Sequence, residues 1–255
     1  MTDSRFIESL FSTLKIPKKR ILFLHVRLRS IQKIAHLDYP VITKEILRLL
    51  QYYYEPEAIL VPAYTFSFMH SGMFHRIFSK SEVGRFSEEI RTLIPAHYRT
   101  PDPMYSVLDV LNFLKDKPID YTTTFGEKSL FEYLLEKNNV ILNVDMEGVW
   151  STHFHQPEQA TNVPYRFNRT FSGVVYTDET HFEKIDYHAF VRNMDSNGVS
   201  YPSYYRTRTK QFLIETHIMH VIQAATVDIT WMESQNFVEA IQKKLFTDPL
   251  FLIKQ

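Results

Sequence analysis

The sequence predicts an α/β protein with a central, largely parallel sheet flanked by helices and an additional β-containing lobe towards the C-terminus. In the first half, short continuously apolar runs alternate with longer segments of helical spacing, the pattern of strand, helix and parallel strand. After residue 168 the pattern changes to strands, a polar stretch and further helices. We therefore expect a single domain over residues 1–255. Residues 1–168 would form its α/β core, and residues 169–255 a β-hairpin, a loop and C-terminal helices on the same core.

The elements of the first half follow from the spacing of apolar residues. Helical spacing predicts helices at Phe6–Leu14, Val41–Tyr54, Glu82–Leu93, Ser129–Lys137 and, as a short piece, Thr152–Thr161. Apolar runs predict strands at Ile21–Val26, Ala58–Pro62, Ser106–Phe113 and Asn139–Asp145. Since strand, helix and strand succeed one another, the sheet should be parallel at its centre.

The second half is more polar and is assigned on weaker signals. Thr170–Tyr176 and Phe182–Val191 are predicted to be strands that pair with each other. The stretch Asn193–Arg208 contains Gly198 and Pro202 and is predicted to be a loop. Helices are expected at Thr209–His220 and Glu233–Phe246.

Composition excludes several classes of protein. The chain has no cysteine, which rules out disulfides, thiolate metal sites and a thiol nucleophile. Its 29 basic and 29 acidic residues cancel, so there is no basic excess of the kind that nucleic-acid binding requires. No segment approaches the ~20 apolar residues of a membrane span. We expect a cytoplasmic protein without nucleic-acid or membrane partners, and a homo-oligomer is compatible with the sequence.

The most informative stretch, residues 143–166, follows a predicted strand. Thr152, His155 and Glu158 are spaced three apart there, so they would share one face of a helix. Glu158 could then accept a hydrogen bond from one imidazole nitrogen and leave the other free to take up a proton. Pro157 restricts this helix to a start within its first turn, where the Thr152 hydroxyl could cap it.

Spacing alone leaves other interpretations open. His155 could be an ordinary histidine beside a solvated Glu158. A metal site formed by His153, His155 and Glu158 is a second alternative, and it would suit a metal-dependent hydrolase. However, no H-E-x-x-H motif occurs. A relative that only binds a ligand is a third.

Three further polar stretches lie at or after predicted strand ends, where α/β proteins collect their ligand sites. They are Leu24–Ser30 (LHVRLRS), Pro62–Ser67 (PAYTFS) and Arg91–Val107 (RTLIPAHYRTPDPMYSV). In the last of these, Arg91 and Arg99 are candidates for phosphate contacts and Ser106 for donation to a carbonyl. No dinucleotide-binding or phosphate-binding glycine motif and no G-x-S-x-G elbow occurs.

Taken in order, these stretches resemble the aminoglycoside N(3)-acetyltransferase family, also called the antibiotic N-acetyltransferases. LHVRLRS is similar to the family's first strand and turn, and VPAYTFS to its P-T-F-S/T segment. VGRFSEEIR resembles its G-x-x-x-E-x-x-R helix, RTPDPMYSV its R-S-x-H-P-x-x-S loop, and T-x-x-H-x-x-E its site. VPYR and the closing Asp248-Pro249 also fit, and the resemblance covers roughly residues 15–250.

The resemblance implies an acyl-CoA co-substrate, no metal, and direct transfer of the acyl group to an amine. His155 would be the general base, oriented by Glu158, with Thr152 beside it. The implied cofactor-binding residues are His25, Arg27, Arg29, Ser30 and Ser106. The implied substrate-binding residues are Tyr64, Phe66, Arg99, Asp102, Tyr201, Tyr204 and Tyr205. One departure is Asp102, which stands where the family has histidine and leaves the role of that position open.

The acceptor is the least determined part of this prediction. Aminoglycosides are polycations, and a dedicated binder should carry acidic residues around its cleft, whereas this chain is neutral overall. We therefore favour an amino sugar linked to a nucleotide, such as a dTDP-3-amino-3,6-dideoxyhexose of surface-polysaccharide synthesis, which some relatives N-acylate. Tyr201, Tyr204 and Tyr205 would stack on the nucleobase. Arg206 or Arg208 would bind the pyrophosphate. A true aminoglycoside acetyltransferase is the alternative.

Overall fold

The structure is a computed structural model that describes residues 3–194 and 203–254. The described strands are β1 Ile21–Val26, β2 Ala58–Pro62, β3 Met73–His75, β4 Val107–Asp109, β5 Val140–Val144, β6 Arg166–Tyr176, β7 Phe182–Arg192, β8 His220–Ala224 and β9 Val227–Glu233. The described helices are α1 Asp3–Phe11, α2 Arg29–Ala35, α3 Tyr39–Tyr54, α4 Phe68–Ser71, α5 Arg85–Leu93, α6 Leu130–Glu136, α7 His155–Ala160, α8 Arg206–Glu215 and α9 Ser234–Thr247. None of these helices is long and apolar enough to cross a membrane.

The main sheet has the strand order β4-β2-β1-β5-β9-β8. Its three central strands β2, β1 and β5 are parallel, and the strands on both sides run antiparallel to their neighbours. This confirms the predicted α/β class. The antiparallel flank formed by β8 and β9 comes from the last quarter of the chain, so the C-terminal part completes the same sheet.

Both faces of the main sheet are buried, as its continuously apolar central strands require. In β1, Leu22 and Leu24 point into the core beneath α1, α2, α3 and α5, whereas Ile21 and Phe23 point into the core that includes α6 and α9. A second sheet of order β3-β6-β7 packs onto the latter core through residues such as Phe171 and Tyr187. The β6–β7 pair confirms the predicted hairpin, while β3 comes from the first half of the chain.

Three predicted segments differ from the structure. The predicted strand Ser106–Phe113 is limited to Val107–Asp109, which pairs antiparallel with β2. The predicted helix Thr209–His220 begins earlier, at Arg206, and ends at Glu215, because His220–Ala224 forms a hairpin with β9. The turn between β8 and β9 has no glycine or asparagine, and Ala225 adopts φ +54° instead, so the usual sequence signal of a tight hairpin is missing. Arg29 and Ser30, at the end of the stretch Leu24–Ser30 that was predicted to contain a polar turn, begin the short helix α2.

Candidate active site

A pocket of about 780 Å³ opens beyond the carboxyl ends of β1, β2 and β5. Because these strands are parallel, the residues that follow them meet at one edge of the sheet. The predicted site residues among the pocket's lining are His25, Arg27, Tyr64, Phe66, Thr152, His155 and Tyr204. Residues from β6, β7 and α8 close the opposite side. The pocket therefore joins stretches that the sequence analysis selected separately.

The segment that carries the predicted base is helical, as expected. Thr152–Phe154 forms one turn of 3₁₀-helix, and α7 continues from His155. Ser151 caps this start, since its hydroxyl accepts a hydrogen bond from the backbone N–H of His153 at 3.1 Å. The capping role predicted for Thr152 was therefore wrong. Pro157 lies in the first turn of α7, where a proline costs no hydrogen bond.

His155 and Glu158 form a close pair. Nδ1 of His155 lies 2.6 Å from Oε2 of Glu158, and the imidazole remains 12% exposed whereas the carboxylate is fully buried. An ionised carboxylate can only accept, so the proton of the neutral ring belongs on Nδ1. Nε2 is then an acceptor, and it lies 3.3 Å from a terminal nitrogen of Arg166.

Glu158 is held by more than the histidine. The hydroxyls of Tyr165 and Tyr204 donate to its Oε1 at 2.9 and 2.7 Å. Nε of Arg166 lies 2.9 Å from Oε2 and forms an ion pair with it. The geometry of this contact is not that of a hydrogen bond. Burial opposes the charge of Glu158, but Arg166 and His155 outweigh it and lower the pKa of this carboxyl. The carboxylate is therefore ionised and fixed.

The same surroundings keep the imidazole neutral. Burial and then the charge of Arg166 lower the pKa of His155 to about 4, against the opposing effect of Glu158. The ring is therefore in its base form throughout the physiological range. A substrate amine would have to replace the Arg166 contact at Nε2, as catalytic hydrogen bonds often form only with substrate bound.

This assignment predicts a specific pH dependence of kcat/KM for acyl transfer. Because the pKa of His155 lies near 4 rather than 6.5, the base stays neutral as pH falls from 7 to 5. Activity lost in that interval should come from protonation of the acceptor amine alone. When two acceptor amines differ in pKa by about one unit, we expect the acidic limb of the pH profile of kcat/KM to shift by about the same amount. A limb fixed near pH 6.5 for both amines would contradict the assignment.

Thr152 and Tyr64 form a second polar contact in the pocket wall. Their hydroxyls are hydrogen-bonded to each other, and both side chains are buried and line the pocket. Burial raises the pKa of the Tyr64 phenol well above 10, so it stays protonated. One of these two hydroxyls can donate to an oxygen bound in the pocket.

Two further histidines lie near His155. His25 lines the pocket, and its buried Nε2 has no hydrogen-bond partner among the described residues. Burial lowers the pKa of His25 to about 4. His153 is fully buried, with Nε2 3.0 Å from Oδ1 of Asn139 and Nδ1 3.2 Å from Oγ of Ser151. Within residues 3–194 and 203–254, no three His, Asp or Glu side chains are grouped as metal ligands.

The predicted cofactor-binding residues divide into two groups. Arg27 lines the pocket and pairs with Asp145 at 3.4 Å. The same carboxylate accepts from the backbone N–H of Ser30 at 3.2 Å, so Asp145 ties the start of α2 to the end of β5. Arg29 and Ser30 come soon after Arg27 in the sequence, but neither lines the pocket. Ser106 is buried and donates to the carbonyl of Ala63 at 2.8 Å.

Among the predicted substrate-binding residues, Arg99 and Asp102 do not line the pocket. The guanidinium of Arg99 is buried and donates to the carbonyls of Ser79 and Ala63 and to the hydroxyls of Thr65 and Ser106. Direct contact with a ligand is not expected from this arginine, because its donors are already used within the fold.

Asp102, where the resembled family has histidine, is bound by the backbone. Its Oδ1 accepts from the N–H groups of Met104 and Tyr105, and Oδ2 accepts from the Tyr187 hydroxyl at 3.0 Å. Burial raises the pKa of Asp102 to about 7 despite these bonds. The residue anchors the loop before β4 to the second sheet.

Replacement of Arg99 by methionine should destabilise the protein without weakening ligand binding. The variant removes the side-chain donor of the Ser79 carbonyl and leaves the Ala63 carbonyl with the Ser106 hydroxyl in place of two strong donors. We expect the free energy of unfolding to fall by roughly 2–4 kcal/mol in urea titration. The exposed Arg169→Met variant is the control and should be near neutral. A raised KM for a substrate with unchanged stability would contradict this structural role.

The tyrosine cluster is only partly as predicted. Tyr201 lies outside the described residues. Tyr204 lines the pocket, but its hydroxyl donates to Glu158. Its ring centroid lies 6.1 Å from that of Phe154 and 4.8 Å from the Arg192 guanidinium carbon. Tyr205 is half-exposed outside the pocket lining, with Arg208 against its ring. Arg208 itself donates to the carbonyls of Leu250 and Ile253 rather than facing the pocket.

Several pocket residues had no role in the sequence analysis. Arg166, at the end of the noted VPYR stretch, contacts both members of the His155–Glu158 pair. Arg192 and Trp150 line the same wall as Tyr204, next to Arg206, which the sequence analysis had placed against a pyrophosphate. An arginine count could not have found them, because they come from three distant segments that only the fold brings together.

The sequence profile of aminoglycoside 3-N-acetyltransferases matches residues 23–246 of this chain. No curated protein matches the chain well enough to be reported as a relative.

Several solved structures are similar over nearly the whole chain, all at low sequence identity. The aminoglycoside acetyltransferase AAC-IIIb, in its binary complex with CoASH, has a TM-score of 0.73 and 13% identity, covering 97% of each chain. A histidine-to-alanine mutant of the aminoglycoside acetyltransferase AAC(3)-IVa, in complex with a gentamicin, has a TM-score of 0.67 and 13% identity, covering 100% of this chain and 92% of that one. The YokD protein from Bacillus subtilis has a TM-score of 0.69 and 15% identity, covering 97% and 94%.

Proposed function

Because this chain belongs to the aminoglycoside 3-N-acetyltransferase family, we propose that it transfers an acetyl or short acyl group from acyl-CoA to the amine of an amino sugar, with His155 as the general base. The predicted class of enzyme, a CoA-dependent N-acyltransferase, is confirmed at the level of the family. The observation that carries the proposed mechanism is the contact between the His155 imidazole and Glu158 at the pocket wall. The lack of cysteine is in keeping with a cytoplasmic enzyme.

The proposed chemistry uses direct attack. The amine nitrogen adds to the thioester carbonyl carbon while Nε2 of His155 takes up one of its protons. The tetrahedral intermediate then collapses, the C–S bond breaks, and the imidazolium returns the proton to the CoA thiolate. Glu158 stabilises the imidazolium that exists between these two transfers. No covalent acyl-enzyme is needed, since the chain has no cysteine and no serine elbow.

The tetrahedral intermediate requires hydrogen-bond donors for its oxyanion. We assign this role to the hydroxyl pair of Thr152 and Tyr64, which is buried and lines the same pocket as His155. Loss of one such donor typically slows the chemical step ~10²–10³-fold. The phosphates of acyl-CoA are assigned to the side of the pocket that carries His25 and Arg27, at the end of β1.

Two acceptor classes follow from different observations. An aminoglycoside amine is supported by the family match and by what the similar solved enzymes are named for. A nucleotide-linked amino sugar is supported by the charge of the pocket. Of the described residues that line it, five are arginines, and three of these are paired with acidic residues. Arg206 makes no ion pair with a described residue, and the acidic residue exposed in the lining is Glu82. A polycation is not favoured by such a surface.

Release of free CoA thiol from acetyl-CoA tests the proposal. The full chain should release thiol only when an amine acceptor is present, and the acceptors to compare are gentamicin, glucosamine and a dTDP-linked amino sugar. Acyl-CoAs of increasing length, run on the best acceptor, define the acyl group. A chelator should not change the rate. Failure of every amine to stimulate thiol release would refute the proposed function and leave a ligand-binding relative, whereas chelator-sensitive hydrolysis would support the hydrolase alternative.

A further inference from the structure

Two arginines from different parts of the chain meet beside the proposed base. Arg192 ends β7 and Arg206 begins α8, and both line the pocket. Tyr204 is near both the base and these arginines, with its ring centroid 6.2 Å from that of His155. The guanidinium carbons of Arg192 and Arg206 are 4.8 and 5.7 Å from the centroid of the same ring. The arginines are therefore within the span of an amino sugar whose amine contacts His155 and which also carries a phosphate.

The charge of Arg206 is not neutralised by the described part of the protein. Arg27, Arg85 and Arg166, the other arginines of the pocket outside this pair, form ion pairs with acidic residues. Arg206 makes no ion pair with any described residue, and it lies against aromatic rings, with Trp150 at 3.8 Å. It also stands at the start of α8, whose first turn contains no acidic residue and where the helix dipole is already positive.

The position of Arg206 is set by its surroundings. Gly148 packs so closely that a Cβ built on it would lie 2.6 Å from the Cβ of Arg206, and its φ of +75° also favours glycine. Trp150, in the same loop, covers the guanidinium. Burial, followed by the charge of Arg192, lowers the pKa of Arg206, in keeping with a cation that no acidic residue of the described ranges offsets. Such an arrangement is built to receive an anion.

We propose that Arg192 and Arg206, with the Trp150 ring beside them, form a subsite for a phosphate group on the amino-sugar acceptor. Paired guanidinium forks match phosphate oxygens, and the exposed ring of Trp150 extends the subsite towards a base if the phosphate belongs to a nucleotide. This inference rests on the proposed function for the identity of the reaction. It sets the acceptor apart from the polycationic aminoglycosides, which the charge of Arg206 repels.

Kinetics with acetyl-CoA and three acceptors test the subsite. Glucosamine 6-phosphate and UDP-glucosamine should be better acceptors than glucosamine. Whichever of the two has the higher kcat/KM indicates whether the subsite takes a sugar monophosphate or a nucleotide-linked sugar. Arg206→Met should raise KM for the phosphorylated acceptors about 10–100-fold and leave KM for glucosamine and acetyl-CoA within about twofold. Arg206→Lys should recover part of the loss. Arg169→Met is the matched control, since Arg169 also covers an aromatic ring but lies outside the pocket.

Three outcomes would overturn the subsite. These are equal losses for glucosamine and its phosphate, a rise in KM for acetyl-CoA alone, or gentamicin as the preferred acceptor of the unchanged enzyme. Calorimetry separates the subsite from the proposed function, because it needs no turnover. If no acceptor is acylated, binding of glucosamine 6-phosphate that weakens about tenfold or more in Arg206→Met still supports the subsite, and absence of binding refutes it.

Discussion

Replacement of His155 by alanine is expected to lower kcat for acyl transfer by about 10²–10⁴-fold. The variant removes the acceptor for the amine proton, and no other described base lies at that point of the pocket wall with a carboxylate behind it. Because the imidazole is small and lies at the wall, binding of acyl-CoA should change less than about threefold. Steady-state kinetics together with equilibrium binding of CoA measure both quantities.

The chain offers a matched control for this variant. His181 also pairs with a carboxylate three residues away, Asp178, at 2.8 Å, but its side chain is 77% exposed on the surface. His181→Ala should therefore keep normal turnover. If His155→Ala retained kcat within about fivefold of the unchanged enzyme, the role of the base would belong elsewhere.

Replacement of Glu158 by glutamine is expected to damage both stability and turnover. Glutamine keeps the shape but removes the charge that balances Arg166, whose side chain is only 4% exposed. An uncompensated buried charge of this kind typically costs about 3–5 kcal/mol of unfolding free energy. The imidazolium formed during the reaction would also lose its partner, so kcat should fall with KM for acyl-CoA little changed. Urea unfolding and initial rates measure the two effects.

A surface ion pair of the same spacing provides the comparison. Glu45 pairs with Arg48 three residues later at 2.7 Å, on the exposed face of α3. Glu45→Gln should leave both unfolding and turnover close to those of the unchanged protein. A Glu158→Gln variant as stable and as active as this control would mean that the carboxylate neither balances Arg166 nor supports the base.

The parts of the site that lie close together in sequence were predictable. The apolar runs of β1, β2 and β5 indicated buried parallel strands, and their carboxyl ends had to meet at one edge. Spacing placed His155 and Glu158 on one face of a helix, and the structure gives that contact. Local periodicity is sufficient here because both residues belong to one helical turn.

The partners that come from distant segments could not be predicted. Tyr204 reaches Glu158 across 46 residues, and Arg166 joins the pair from the start of β6. Arg99 and Ser106 suggested ligand contacts, because arginine and serine are common ligand-binding residues. The fold instead uses them to satisfy buried carbonyls. Residue type alone does not distinguish these two uses.

In our proposal, the charge of the pocket distinguishes the acceptor of this chain from a polycationic aminoglycoside. The family match concerns the fold and the reaction, whereas the acceptor is selected by side chains on the pocket wall. Arg192 and Arg206 come from β7 and α8, outside the stretches that carry the resemblance to the family. A family member with these residues is expected to prefer an anionic amino sugar over a polycation.

The most direct test of the central claim is the protonation state of His155, followed by ¹⁵N NMR of histidine-labelled protein with His155→Asn for assignment. We expect a neutral ring at pH 7 with its proton on Nδ1, an unprotonated Nε2, and titration well below pH 6.5. A charged imidazole at pH 7, or a neutral ring with its proton on Nε2, would leave no acceptor nitrogen on the side away from Glu158 and would contradict the proposed role of His155.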